Sequence, residues 1–171
     1  MRRTHGRHLA QSGQALIELA FVVPLLLILL LGVIEVGRYA YIAILVGNAA
    51  HAGASYGAQS KQQSNDTTGI QNAAYFDFAG GNTSSSTNNS LAPGTLTITS
   101  STSCGCDSGG ATTAAPSCDI TVYSNAGTCA GTSRWVVVVN VTANGTFTAL
   151  FNYPGIPSSL VISRSASLPV T

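Results

Sequence analysis

Residues Gln14 to Ile34 form an apolar run of 21 residues that holds one ionisable group, Glu18. As a helix rising 1.5 Å per residue, the run spans about 31 Å, the thickness of a bilayer's hydrocarbon core. A chain carrying it is constrained to cross a membrane once, near its N-terminus, and to fold the rest beside that membrane. The flanks orient the crossing. Arg2, Arg3 and Arg7, with His5 and His8, precede the run, and no acid does. The excess of basic residues places the N-terminus in the cytoplasm and the residues after about 40 outside it.

Two simpler readings of the run account for less. A removable secretory signal has an apolar core of about 7–15 residues followed by a small-residue cleavage site. Here the core is longer, and Glu35, Arg38 and Tyr39 intervene before Ala49-Ala50-His51-Ala52. A plain anchor explains the length but not Glu18, because an acid within a bilayer is costly and ordinarily has a partner. Arg3 and Arg7 reach it only if the helix starts much earlier. If the chain is cut after Gly13, the new α-amine of Gln14 lies about 6 Å along the axis from Glu18. On a neighbouring helix shifted by one turn, that amine would lie beside the carboxylate. The attraction is then about 4 kcal/mol at an effective dielectric near 20, offset by a comparable desolvation of both ions. Such a pair sets the register between subunits more than it adds stability.

The pattern has a likeness. A short basic leader ending in Gly13, then four residues, then Glu18 and an apolar helix, resembles a type IV prepilin. The string "GQALIELAFVVPLLLILLLGVIEVGRYAY" resembles more closely the TadE-like family, pilin-like minor subunits (pseudopilins) of the bacterial tight-adherence (Tad/Flp) pilus system. Gly13, Glu18, Pro24, Gly32, Glu35 and the Gly37-Arg38 pair carry the resemblance. The tail "FNYPGIPSSLVISRSASLPV", Phe151 to Val170, is also similar to the family's C-terminal end. Leu19 follows Glu18 where the major Flp pilins carry tyrosine, which favours a minor subunit. The resemblance implies cleavage between Gly13 and Gln14 by a prepilin peptidase. It also implies partnership with other pilin-like subunits and the pilus assembly machinery.

The rest of the helix carries further marks. Pro24 lacks an N–H and clashes with the carbonyl of Ala20, so a bend or a loosened turn is expected there. In a membrane helix such a proline is either simply tolerated or a point of local melting on transfer into a packed filament. Glu35 and Arg38, three apart, are expected to pair as solvated charges at the membrane edge. Helical spacing continues outward through Tyr39, Ile42, Val46, Ala49, Gly53 and Tyr56. Ala49, Gly53 and Gly57, and beside them Ala50, Ala54 and Ala58, make small-residue ridges suited to close approach by a helix or sheet. One helix from Gln14 to Gln59 is predicted. "GASYG" matches the nucleophile pattern around Ser55, but that motif needs a preceding strand and a later histidine, and no histidine follows His51.

Charged residues make up only 8% of the 171-residue chain and the net charge is +1, which excludes an electrostatic nucleic-acid binder. Four cysteines, Cys104, Cys106, Cys118 and Cys129, all lie on the outer side. In an exported segment this favours two disulfides in one of three connectivities. A zinc site would more usually repeat CxxC pairs, and here only "CGC" is paired. Neighbouring Cys104 and Cys106 are expected to reach Cys118 or Cys129. Residues 60–133 are rich in Ser, Thr, Asn and Gly, with a short helix expected over Ile70–Ala79 and strands at "TLTIT" and "CDITVY". Matches to N-x-S/T at Asn65, Asn82, Asn88, Asn140 and Asn144 carry little weight in so Asn-, Ser- and Thr-rich a chain. Further on, "RWVVVVNVT" places Trp135, Val137, Val139 and Val141 on one face. Asn144-Gly145 reads as a hairpin turn leading into "TFTALF", with Phe147, Ala149 and Phe151 on one face. "SLVISRSASL" supplies another strand after the Pro154–Pro157 turn.

The expected fold is α+β: a long N-terminal transmembrane helix continuing outside the membrane and packed against a C-terminal antiparallel sheet of about four strands. The expected division is a cleaved leader at 1–13, the helix at 14–59, the cysteine-bearing region at 60–133 and the sheet at 134–171. The expected role is structural and not enzymatic, with no metal and no cofactor, in the bacterial inner membrane. The alternative is an uncleaved, membrane-anchored extracytoplasmic binding module.

Overall fold

In a computed structural model of the chain, the apolar run and the residues after it form a single helix, α1, His8–Gly57. The structure describes residues 8–81, 87–88, 94–107, 112–114, 134–151, 155 and 157–170. Cys118, Cys129, the strand expected at "CDITVY" and the start of the Pro154–Pro157 turn lie outside the described residues. α1 is already helical at His8, six residues before Gln14, through Leu9, Ala10 and Gln11, which are good helix formers. It ends where the Gln59 N–H bonds to the Tyr56 carbonyl at 3.3 Å, a tightened last turn. Ser60, extended at φ −161°, then caps a one-turn helix, α2, Lys61–Ser64.

The chain divides into two compact units, Met1–Arg38 and Tyr39–Thr171. In the first, α1 runs without interruption through Pro24. Its apolar side chains are open on every side: Leu16 is 66% exposed, Phe21 78% and Ile28 65%. Apolar surface of that extent, continuous around a helix, suits lipid or a packed bundle and not water. The span from Gly13 onward is long and apolar enough to cross a membrane by length and composition.

The second unit is an antiparallel sheet with helices on one face. α3, Thr67–Phe78, follows α2. The short β1, Thr87–Asn88, precedes three long strands, β2, Gly94–Asp107, β4, Arg134–Thr148, and β5, Ser159–Pro169; β3 is Thr112–Ala114. The order is β1-β2-β4-β5, with β3 also on β2. The fold is α+β, as expected. Period-two alternation makes one sheet face apolar: Leu96, Ile98, Val139, Val141, Ala143, Phe147 and Ile162 are buried against Ile42, Val46, Ala49, Ala50 and Ala54 of α1 and Ile70, Ala74 and Phe78 of α3. Tyr39 closes one end of this core with its ring edge-on to Phe147, centroids 5.6 Å apart.

The small-residue ridge of α1 is spent inside this unit. A Cβ on Gly53 would lie 3.2 Å from the Ile70 carbonyl, and one on Gly57 would lie 3.0 Å from Val139 Cγ1. Ala49, Ala50 and Ala54 are fully buried beside them. The ridge therefore serves the chain's own sheet and α3.

Asn144-Gly145 is not a turn. Both residues lie inside β4, with Asn144 opposite Thr97 and Ser163, and Gly145 opposite Leu96 and Ile162. Neither has a positive φ. Gly145 is there for space: a Cβ at this position would fall on Val46 Cγ2 of α1. Of the second strand expected over Thr146 to Phe151, Thr146 to Thr148 continue β4 and the rest lies beyond its end.

Candidate functional site

The residues singled out for processing and assembly all lie in the first unit. Ser12, Gly13 and Gln14 are helical, whereas a peptidase needs them extended, so cleavage there requires local unwinding of α1. Gly13 is exposed, and a Cβ on it would meet nothing within 4 Å. Neither packing nor a positive φ asks for glycine at this place. What it does is weaken the helix, by about 1 kcal/mol relative to alanine. One turn on, Gln14 Nε2 donates to Glu18 Oε1 at 3.3 Å on an exposed face. The carboxylate thus has a local amide partner and no cation among the described residues near it. Pro24 removes the N–H that would have met the Ala20 carbonyl, and the helix continues past the gap.

Glu35 and Arg38 pair as the spacing suggests, with Nη1 to Oε2 at 2.9 Å. They are less solvated than expected, because their side chains are only 15% and 11% exposed. A pair held at that depth is stronger than a free surface pair, since solvent screens it less. A Cβ on Gly32 or on Gly37 nearby would meet nothing within 4 Å, so the helix surface at both positions is smooth and unobstructed.

Residues 13–55 match the family model of TadE-like proteins. The match takes in Gly13, Glu18, Pro24, Gly32, Glu35, Gly37 and Arg38, the positions that carried the likeness in the sequence. No curated protein and no solved structure matches the chain. The matched stretch lies wholly within α1 and leaves the sheet uncovered.

The Ser55 motif gains one contact: Ser55 Oγ lies 3.3 Å from His51 Nδ1, one helical turn back. This is not a catalytic arrangement. The backbone amides around Ser55 are inside α1 and its last turn, where Ala58 N–H, for instance, is held by the Ala54 carbonyl at 2.9 Å. None is left to stabilise an oxyanion.

On the sheet, Cys104 and Cys106 lie two apart on β2, opposite Val137 and Trp135. Neither is a free thiol. A clasp that sequence reasoning missed joins the end of α1 to the start of α3. Tyr56 Oη donates to Asp66 Oδ2 at 2.8 Å, and Asp66 Oδ1 accepts from the Gly69 N–H at 2.9 Å. The Gly69 amide bond, and then the Tyr56 hydroxyl, hold the Asp66 carboxyl below its ordinary pKa. The signal was present: an N-capping acid three residues before Gly69, ahead of apolar Ile70, Ala74 and Phe78.

Proposed function

We propose that the chain is a minor pilin-like subunit, a pseudopilin, of a Tad/Flp-type pilus. It is made with residues 1–13 as a cytoplasmic leader, held in the inner membrane by α1 with its sheet outside, and cut between Gly13 and Gln14 by a prepilin peptidase. The observation that carries this reading is the TadE-like match over residues 13–55, which begins at the glycine of the proposed cut. The helix weakness at Gly13 supports it, because a peptidase must open one turn of α1 and glycine lowers that barrier. Once cut, the α-amine of Gln14 becomes the partner for Glu18 on an adjacent subunit and sets the register of the packed helices. Pro24 loosens the helix for its passage from lipid into the assembly, and Glu35–Arg38 marks the outward edge of the membrane. Disulfides linking Cys104 and Cys106 to Cys118 and Cys129 restrain loops too polar to build a core of their own. Its partners are other pilin-like subunits, the peptidase and the assembly machinery.

The test is the intact mass of the protein recovered from membranes with and without a prepilin peptidase. The expected result is loss of residues 1–13 only when the peptidase is present, and a block in Gly13→Ala. An identical mass in both strains would support the uncut anchored binding module instead.

A further inference from the structure

Among the described residues, strand β5 is an open edge of the sheet. At the other side of the sheet, β2 is covered by β1 at Gly94–Thr95 and by β3 at Gly105–Asp107, and Gln71 Nε2 of α3 donates to the Ile98 carbonyl between them. Among the described strands β5 pairs with β4 alone, in unbroken register from Ser159 opposite Thr148 to Pro169 opposite Val138. Its backbone directions follow from the flanking bonds. Val170 N–H donates to the Val137 carbonyl and Ala149 N–H to the Ser158 carbonyl. Alternation along an antiparallel pair then gives the even-numbered residues of β5 to β4. Ser159, Val161, Ser163, Ser165 and Ser167 turn their N–H and C=O groups outward. Among the described residues nothing meets those groups. Pro169 falls at an outward position too, where its missing N–H disturbs no ladder bond.

Exposed edges are ordinarily guarded by charge, an internal proline, a bulge or a covering segment. Over Ser159–Leu168 the register has no bulge and the sequence no proline, and Val161 at the edge is 72% exposed. The one charge is Arg164. It shares a row with buried Ala143, its stem lying 4.0 Å from the Cβ position of Gly47 on α1, and its guanidinium has no acid partner among the described residues.

We infer that the β5 edge accepts an added strand: an extended segment of a different protein chain, alternating apolar and small residues, with an acidic side chain placed to meet Arg164. The main-chain bonds supply affinity and the acid supplies register. A second copy of this chain fits poorly. Fully overlapped antiparallel β5–β5 pairing would place the two Arg164 residues, at the strand's midpoint, opposite each other, with no acid anywhere in Ser159–Pro169 to offset them. The inference rests on the sheet edge and not on processing at Gly13.

The test uses the full-length chain in its native membrane, carrying a photoreactive benzoylphenylalanine at Val161, with Thr97 on the paired β2 as control. The expected product joins Val161 to a segment of another chain, mapped by mass spectrometry as an alternating stretch with an acid within two residues of the register of Arg164. Ser163→Pro removes one outward N–H and leaves the β4 ladder intact. It should lower the yield at least about tenfold. Arg164→Glu, at an exposed position and checked for an unchanged melting temperature, should lower it several-fold. No product, equal yield from both variants, or a product with β5 of a second copy overturns the proposal. Strains with and without the prepilin peptidase separate the two readings: the same strand captured in both leaves this proposal standing even if the chain is never cut.

Discussion

Gly145 of β4 and Val46 of α1 occupy one space: a methyl group on the first would fall on Cγ2 of the second. Helix and sheet are therefore as close at this point as a glycine allows. Gly145→Ala should destabilise the second unit by about 1–3 kcal/mol, the usual range for overpacking. Val46→Ala in the same chain should restore part of the loss, because the removed methyls vacate the site, giving a coupling of roughly 0.5–3 kcal/mol. Denaturant unfolding in detergent, followed by the single tryptophan, Trp135, measures both. Strict additivity of the two changes would show that the contact is not what makes Gly145 necessary.

The Tyr56–Asp66–Gly69 clasp ties stability to pH. The folded-state pKa of Asp66 is depressed, chiefly by the Gly69 amide. The bond thus contributes in full above the unfolded carboxylate value and is lost as pH falls through the lower folded value. Melting temperature should drop on acidification across that window in the wild type. In Asp66→Asn, which retains a capping oxygen but no titrating group, that part of the drop should vanish. Gly69→Ala should lower the melting temperature at every pH, because its Cβ would overlap the Tyr56 ring and the Asp66 carboxylate.

What could be read in advance follows from how local each signal is. The period of the apolar residues gave α1, and alternation gave β4 and β5, because both are written within a few consecutive residues. Val137, Val139 and Val141 are buried together as their spacing required. The Asn144-Gly145 error has a distant cause. The same dipeptide that suits a turn also suits a strand pressed against a helix, and Val46, which decides the matter, lies about a hundred residues earlier. The short helix α3 was expected over Ile70–Ala79, but its start at Thr67 depends on Asp66 as a cap, joined to Tyr56 across α2. At the candidate site, Gly13 and Glu18 stood out by their spacing together with the family likeness, and both fall within the matched stretch. That Gly13–Gln14 is helical in the folded chain was not, since helical and extended forms of so short a stretch differ by little free energy.

The proposed bridges from Cys104 and Cys106 to Cys118 and Cys129 would tie the polar residues that follow β2 in the sequence back to that strand. Closing loops of roughly 13 to 26 residues contributes about 3 kcal/mol each, or slightly more, in the chain-entropy description. Reduction should therefore lower the melting temperature of the second unit without changing the helicity of α1. Alkylation before reduction should leave the mass unchanged, and alkylation after it should label all four cysteines. Labelling of any cysteine without reductant would contradict the paired assignment and reopen a metal role.

Glu18 allows the sharpest separation between cutting and packing. In the uncut chain its carboxylate accepts from the Gln14 side chain at 3.3 Å, whereas in the assembled state its proposed partner is the Gln14 α-amine of a neighbour. The two are distinguished by changing each group alone. Gln14→Ala removes the side-chain amide and leaves the amine, so cleavage and recovery in sheared pili should remain near wild type. Glu18→Gln removes the charge and leaves the shape, so cleavage should proceed while recovery in pili falls at least about tenfold, the factor for a loss near 1.4 kcal/mol. A charge-assisted bond in a low-dielectric bundle can supply that much, even after desolvation has offset most of the attraction. The readouts are the mass of the membrane pool and the share of the chain in the sheared fraction. Normal incorporation of Glu18→Gln would remove the register role, and failure of Gln14→Ala would assign it to the side chain and not to the amine that cleavage exposes.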